Sequence, residues 1–426
     1  MKVNLSVDVH HLARVEGHGN IHVRVKEGRL EEARWDVVET PRFFEVMLKG
    51  KHHSSAALLT SRICGICSIS HCLTSLEATE AAFDVEPPPL ARKLRLLAKH
   101  GETLQSHYLH LFFLAAPDFL GLPSAIPLLE LKPEVVDIAR RLKGLANRIC
   151  DVVAGRTTHP VAFQVGGVTL RPGREQLGEL RDALARSVDD LAATAEIFAG
   201  FEIPDFSRET EFVSLRGEGD YPFIGRAMVS TDGVEKGRDD YMAMTNEIVD
   251  GNNTSKWCKL SRDSFAVGAL ARFNNNAGQL HPAAAEAAER FGLRPVCHNP
   301  FMNNVAQLVE CVHCTHEAMA LIDEIAGAPA DAELRAEVTA RAGAGVGVVE
   351  APRGILYHRY EYDVEGCIRA ADCVIPTTQN NLNIHLDLRA LVEQYASQPG
   401  MDDARLELLC SMLVRAYDPC ISCSVH

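Results

Sequence analysis

No stretch of the 426-residue sequence approaches the roughly 18 consecutive apolar residues of a membrane span. The start, MKVNLSVDVHHLARVEG, alternates like a strand where an export signal would carry an apolar core. Positive charge is in short supply: 43 Lys and Arg face 57 Asp and Glu, a formal charge of −14 that argues against nucleic acid as a partner. There is also no internal repeat, no low-complexity tract and no linker long enough to split the chain, so one domain over residues 1–426 is expected. Cysteine is not scarce. Thirteen of them, an odd number in a long chain without a secretory signal, point to reduced thiols serving as metal ligands or core residues, and so to a reducing, cytoplasmic setting unless a partner supplies the export signal.

Residues 3 to 40 read as short strands, with alternation around IHVRV and a Glu-Gly turn at KEGRL. From about 90 onward the period is helical. In PEVVDIARRLKGLANRICDVV, Val135, Ile138, Leu142, Leu145, Ile149 and Val152 step by threes and fours along one helix face. REQLGELRDALARSVDDLAATAEIF does the same with Leu177, Leu180, Leu184, Val188, Leu191 and Ala195, and NNVAQLVECVHCTHEAMALIDEIAG puts Val305, Leu308, Val312, Met319 and Ile322 on one side. Long helices with narrow apolar stripes predict a bundle. Residues 206 to 260 and 343 to 385 are richer in Gly, Asn, Pro and β-formers. The expected fold is therefore mainly α with small peripheral β-sheets (α+β): strand-rich 1–60, a helical core over 61–205 and 300–330, loops and strands over 206–299 and 343–385, and a C-terminal helix and tail over 386–426.

Chemistry concentrates in two Cys-x-x-Cys pairs, Cys64 with Cys67 in RICGICSISHC and Cys420 with Cys423 in DPCISCSVH. This spacing lets two thiolates reach one metal from a single turn. Four soft sulfurs suit zinc, iron or nickel, so a closed structural zinc site, a redox site and unconnected core cysteines all fit the spacing. The surroundings are richer than closure requires. Arg62 precedes the first pair, His71 follows it by one helical turn, and Asp418 precedes the second. Buried thiolates need cationic donors nearby, which Arg62 and the Arg353 of EAPRG could supply.

RICGICSISHC resembles the N-terminal signature of the large subunit of [NiFe]-hydrogenases, and DPCISCSVH resembles the C-terminal one. HLARVEGHG, PRFFEVMLKG, EAPRG and CVIPTTQNN match further family segments in the same order, so the likeness spans almost the whole chain. The resemblance implies reversible oxidation of H2 at a nickel held by four cysteine sulfurs, two of which bridge to an iron carrying CO and two cyanides. By position, Cys64 and Cys420 would be terminal nickel ligands, and Cys67 and Cys423 the bridges. Glu16 would relay protons from Cys420. Arg353, its approach fixed by Pro352, would hang over the open metal position with Asp418 orienting it, a helix N-cap being the alternative for Asp418. His71 would lie near a bridging sulfur. Glu45 and His426 match ligands of a Mg2+ or Fe2+ ion near the C-terminus, completed by water and a backbone carbonyl between Cys373 and Ile375.

With the nickel site assigned, no cysteine set remains for an iron–sulfur relay, so the resemblance implies an iron–sulfur small subunit. The YDPCISCSVH ending and the APRGILYHRYEY segment are similar to the cytosolic bidirectional hydrogenases, which implies further electron-transfer subunits linked to NAD(P), ferredoxin or heterodisulfide reductase. It also implies a maturation protease that cuts after the histidine of DPCxxCxxH, where this sequence stops. Two rival classes are the quinone-site subunit of respiratory complex I, which shares the fold but lacks the four cysteines, and a non-catalytic protein held by zinc.

Other features look chemical and are read as structural. Cys311 and Cys314 form a third Cys-x-x-Cys but lie inside a helical pattern, where cysteine acts as a small hydrophobe. GAGVGVVEAPRG echoes a dinucleotide fingerprint yet lacks its last glycine and leads to Pro352 instead of a helix. His107 and His110, flanked by Leu109, Phe112 and Phe113, belong to a buried helix. Some relatives have an aspartate where Ser106 stands, so their surroundings of the arginine are not copied in full.

Overall fold

The alternating N-terminal residues form an antiparallel meander of β1 (Leu5–Val9), β2 (Gly19–Lys26) and β3 (Arg29–Val37). Ile21, Val23 and Val25 are buried while Arg24 and Lys26 are exposed, the period of a sheet with one covered face. This computed structural model describes residues 4–217 and 219–426; position 3 of the expected strand region lies outside them.

Four helices follow: α1 (Ser68–Phe83), α2 (Pro89–Leu109), α3 (Pro133–Ala154) and α4 (Arg174–Ala199). Strands β4 (Glu211–Leu215), β5 (Ala227–Ser230) and β6 (Glu235–Gly237) make a small sheet before α5 (Ala269–Asn276) and α6 (Asn303–Gly327). The sheet of β7 (Gly343–Ala351), β8 (Gly354–Tyr362) and β9 (Ile368–Val374) comes next, then α7 (Pro376–Tyr395) and α8 (Asp403–Ala416). The fold class is as expected, α+β. Helices α2, α3, α4 and α6 close a ring in which α2 and α4 each pack on α3 and α6. Leu97, Leu142, Ile149, Leu180, Leu184 and Leu308 fill it.

Two readings are refined by packing. The first turns of α6 are buried on every face from Asn303 to Cys311, not on one side, because the helix divides two cores. Leu308 and Cys311 face the bundle, whereas Val305, Ala306 and Val309 face a second core built with β1–β3, α7 and α8. The strand-rich character of 343–385 ends at Val374, since helix α7 starts with Pro376 in its first turn, where proline is at home.

The sheet β7–β9 lies largely buried, and its first strand rests on α1 at backbone distance. A Cβ on Gly347 would stand 2.1 Å from the Thr74 carbonyl oxygen, one on Gly345 2.3 Å from that of Ala78, and one on Gly343 2.8 Å from that of Ala82. The G-x-G-x-G run is thus a seat for a helix, glycine being the residue that allows such an approach. The strand and helix run in opposite directions, so Ala351 at the end of β7 meets the start of α1 and clusters with Cys64 and Cys67.

Candidate metal centre

Cys64 follows a tight turn at Ser61–Ile63, and Cys67 stands just before α1. Cys420 and Cys423 flank and join the last helical turn, Ile421–Ser424. All four are buried, and their sulfurs lie within 4.8 Å of one another, the one such group of potential metal ligands among the described residues. Cys64 Sγ is 3.6 Å from Cys420 Sγ, and the sulfurs of Cys420 and Cys423 touch. Burial opposes ionisation of Cys64, but hydrogen bonding from Cys67, the Arg353 cation and the amides of Ile66 and Cys67 hold its thiol below the ordinary value. A hydrogen bond sets the tail in place: the Cys420 amide donates to Thr377 Oγ1 at 2.9 Å.

Residues from the connection between β1 and β2 reach this cluster. The backbone at Glu16 pairs with Cys420, the Ile421 amide donating to the Glu16 carbonyl at 2.9 Å. Gly17 makes that approach possible: at φ +85° it leaves no room for a Cβ, which would fall 2.8 Å from Ile421 Cβ. The Glu16 carboxylate lies 3.2 Å from the Cys420 sulfur, and it accepts from the Ser422 amide at 3.1 Å and from the Ser422 hydroxyl. Arg353 forms, with Pro352, the turn between β7 and β8. Its Nε donates to the Asp418 carbonyl at 2.7 Å and Nη2 to the Asp418 carboxylate at 3.0 Å, while Nη1 is buried without a partner in the protein. Burial disfavours the Arg353 charge, and Asp418 together with Cys67 and Cys64 more than offsets it. Asp418 is not a helix N-cap. Its other carboxylate oxygen is held by Gln307, which in turn bonds His110.

His71 is wholly buried, with Nδ1 against His358 Nε2 at 3.2 Å and Nε2 unpartnered. Burial keeps both rings neutral, lowering His71 well below its usual range and His358 to about 3. Glu45 and His426 also meet: Glu45 Oε1 lies 3.4 Å from His426 Nε2 and accepts from the Cys373 amide at 2.8 Å. His426 Nδ1 donates to the Cys423 carbonyl at 3.1 Å, which leaves Nε2 as the nitrogen facing Glu45. Burial pushes the Glu45 carboxyl up, but the His426 ring and the Cys373 amide outweigh it and hold the group below its ordinary value.

Arg62 does not serve as a counter-charge, because it is exposed at the end of its turn. The role falls to Arg353, while a residue the sequence did not single out ties the loops. Arg42 donates from Nη2 to the Ile63 carbonyl at 2.8 Å and to that of Ser422, tying both cysteine loops together. Its only signal was its place in PRFFEVMLKG. A second omission is Glu102 on α2. It accepts from the amides of Ile69 and Ser70 at 2.7 and 3.0 Å, capping α1 directly after Cys67, and is balanced by Lys99 at 3.1 Å. Cys311 and Cys314 are fully buried core residues, as expected. His107 and His110 diverge to different partners, Glu310 and Gln307.

Comparison with known proteins places this geometry in context. The family model described as nickel-dependent hydrogenase matches residues 42–133 and 255–426. The chain is 33% identical to the sulfhydrogenase 1 subunit alpha of Pyrococcus furiosus, over 99% of this chain and 98% of that one. It is 28% identical to the NAD-reducing hydrogenase HoxS subunit beta of Cupriavidus necator, over 97% and 93% respectively. Among solved structures, an NAD+-reducing [NiFe]-hydrogenase in the H2-reduced state superposes with a TM-score of 0.88 at 28% identity, covering 100% of both chains.

Proposed function

The chain belongs to the nickel-dependent hydrogenase family as a large, catalytic subunit, and from that premise we propose that its four cysteines hold a nickel–iron pair at which H2 is split reversibly into protons and electrons. The donor set fits. Four soft sulfurs converge, and beside them Arg353 keeps one buried donor with no protein acceptor, which a filled structural zinc site would leave without purpose. Cys64 and Cys420 would hold the nickel, and Cys67 and Cys423 would be shared between it and an iron that would carry CO and two cyanides. When bound, the metal pair supplies the two-electron chemistry and the polarisation of H2.

The chain's own groups handle the proton. Glu16 accepts it at Oε2 from the Cys420 sulfur, 3.2 Å away, while the Ser422 amide and hydroxyl keep the carboxylate aimed. Arg353, fixed by Asp418, presents Nη1 as its free donor beside Cys64 and Cys67. Glu45 and His426 would hold a Mg2+ or Fe2+ ion, a reading supported by the approach of a carboxylate oxygen and an imidazole nitrogen, Oε1 and Nε2, to 3.4 Å.

Electrons leave to an iron–sulfur small subunit, a reading supported by relatives that are subunits of hydrogenases. Gly65, between the first two ligands, is exposed, and the short helices before it expose Val46, Met47 and Leu58. Further subunits would connect to NAD(P), ferredoxin or heterodisulfide reductase in the cytoplasm, with a maturation protease acting at the C-terminus. Among the described residues no helix is long and apolar enough to cross a membrane. The convergence of four sulfurs with Glu16 and Arg353 carries this reading. Metal analysis and infrared spectroscopy of the assembled enzyme test it: nickel together with CO and cyanide bands is expected, with iron in excess of nickel because the small subunit's clusters add to the total, and zinc alone would overturn it.

A further inference from the structure

Deepening the reading above, on which it rests, we propose that Arg272 is the positioning residue that fixes Arg353 beside the metal pair. Arg353 sits in a two-residue turn, Ala351 pairing with Gly354 across it. A turn of that kind takes its place from its strands, but this one is also gripped from outside. Arg272, on α5 and wholly buried, uses every N–H it has. Nε donates to Glu310 Oε1 at 2.6 Å and Nη2 to Glu310 Oε2 at 2.7 Å. The second proton of Nη2 goes to the Pro352 carbonyl at 2.9 Å. Nη1 donates to Glu350 Oε2 and to the Ala351 carbonyl, both at 2.9 Å. The two carbonyls held are those directly before Arg353.

The anchors are themselves anchored. Glu310 also accepts from His107 Nε2 at 2.7 Å and from the Tyr221 hydroxyl at 2.8 Å, and Glu350 accepts from the Leu215 amide at 2.7 Å. The turn lies directly on the residues that open α5: a Cβ on Gly354 would meet the Val267 side chain at 2.3 Å, and one on Gly268 the Arg353 carbonyl at 3.2 Å. Two buried carboxylates and a buried guanidinium cost desolvation energy that a hairpin does not need for its own stability. A planar fork with five committed donors cannot rotate without breaking several bonds, so it transmits a fixed position to the next residue. A lysine ammonium cannot reproduce that geometry.

The test is Arg272→Lys in the assembled enzyme, with Glu350→Gln as a milder second variant. A crystal structure of Arg272→Lys is expected to show the Arg353 guanidinium displaced from Asp418. Cyanide bands should shift while nickel and iron contents stay at wild-type levels, and kcat should fall on the order of 10- to 100-fold with KM for H2 unchanged. Glu350→Gln, which sets an amide donor against either Leu215 N–H or Arg272, is expected to shift the same bands by less. Arg353 in its place and unmoved bands in metal-replete protein would overturn the proposal. If Arg272→Lys does not fold, Glu350→Gln decides by the same two observations. Absence of the bands from the wild-type enzyme would strike the underlying reading instead, and the crystallographic position of Arg353 would still decide the role of Arg272.

Discussion

Replacing Glu16 by glutamine isolates the proton step. The amide oxygen can still accept from the Ser422 amide, 3.1 Å away in the native protein, and the Ser422 hydroxyl can turn to accept from the new NH2. The loop around Cys420 therefore keeps its contacts, and nickel and iron contents should match wild type. What is lost is the ability to take a proton across the 3.2 Å gap from the Cys420 sulfur. A positioned acid–base group contributes about 10²- to 10⁴-fold, or roughly 2.7–5.4 kcal/mol of barrier. Glu16→Asp should fall between, since removing one methylene withdraws the carboxylate by about 1.5 Å, out of direct reach but within reach of a bridging water. The assay is H2/D+ exchange without an electron acceptor, which reads bond cleavage and proton exit while leaving electron transfer aside. Exchange within about two-fold of wild type in metal-replete Glu16→Gln would refute the role.

Gly347→Ala forces α1 off β7, because its methyl would stand 2.1 Å from the Thr74 carbonyl. A loss of about 1–3 kcal/mol is expected in denaturant unfolding, while Gly144→Ala, in open space on α3, should be neutral or stabilising. Burial pulls the His313 pKa down to about 4, so the unfolded chain takes up a proton that the folded one refuses. No effect is expected above the unfolded value; as pH falls from about 6.5 to 4, native stability drops by up to about 3 kcal/mol, and the pH dependence of the urea midpoint should flatten in His313→Gln. Arg42→Met removes the donors that tie Ile63 to Ser422, so nickel should pass to a chelator faster than from wild type. Equal release rates would show that the cysteine loops hold themselves.

What the sequence revealed follows from range. Apolar periods of three and four in residues 133–154 and 174–199 are local, and both helices formed where the period placed them. The cysteine pairs and Glu16, Glu45, Arg353, Asp418 and His426 were legible through family segments, and the fold brings them into two adjoining clusters. Arg272, Glu310, Glu102 and Arg42 were not legible. Each looks like an ordinary surface charge until its partner arrives from a distant element, as when Glu310 of α6 meets Arg272 of α5. Arg62 shows the reverse: adjacency to Cys64 suggested a counter-charge, but the turn at Ser61–Ile63 leaves it exposed. The expected one-sided burial failed in the first turns of α6 for a related reason, since the part of a helix shared by two cores has no outer face to betray in its period.

The glycine file on β7 also governs what can be adjusted. Sulfur ligands enter at one end of α1 and the Arg353 guanidinium leaves the matching end of β7, with only backbone and Cβ atoms between them along three contacts. No rotamer stands in that gap to absorb a displacement, so the separation between ligands and guanidinium works as a ruler without a sliding part. Any descendant of this chain that needs a different spacing must rebuild the loops at the ends, because the interface itself offers nothing to trim.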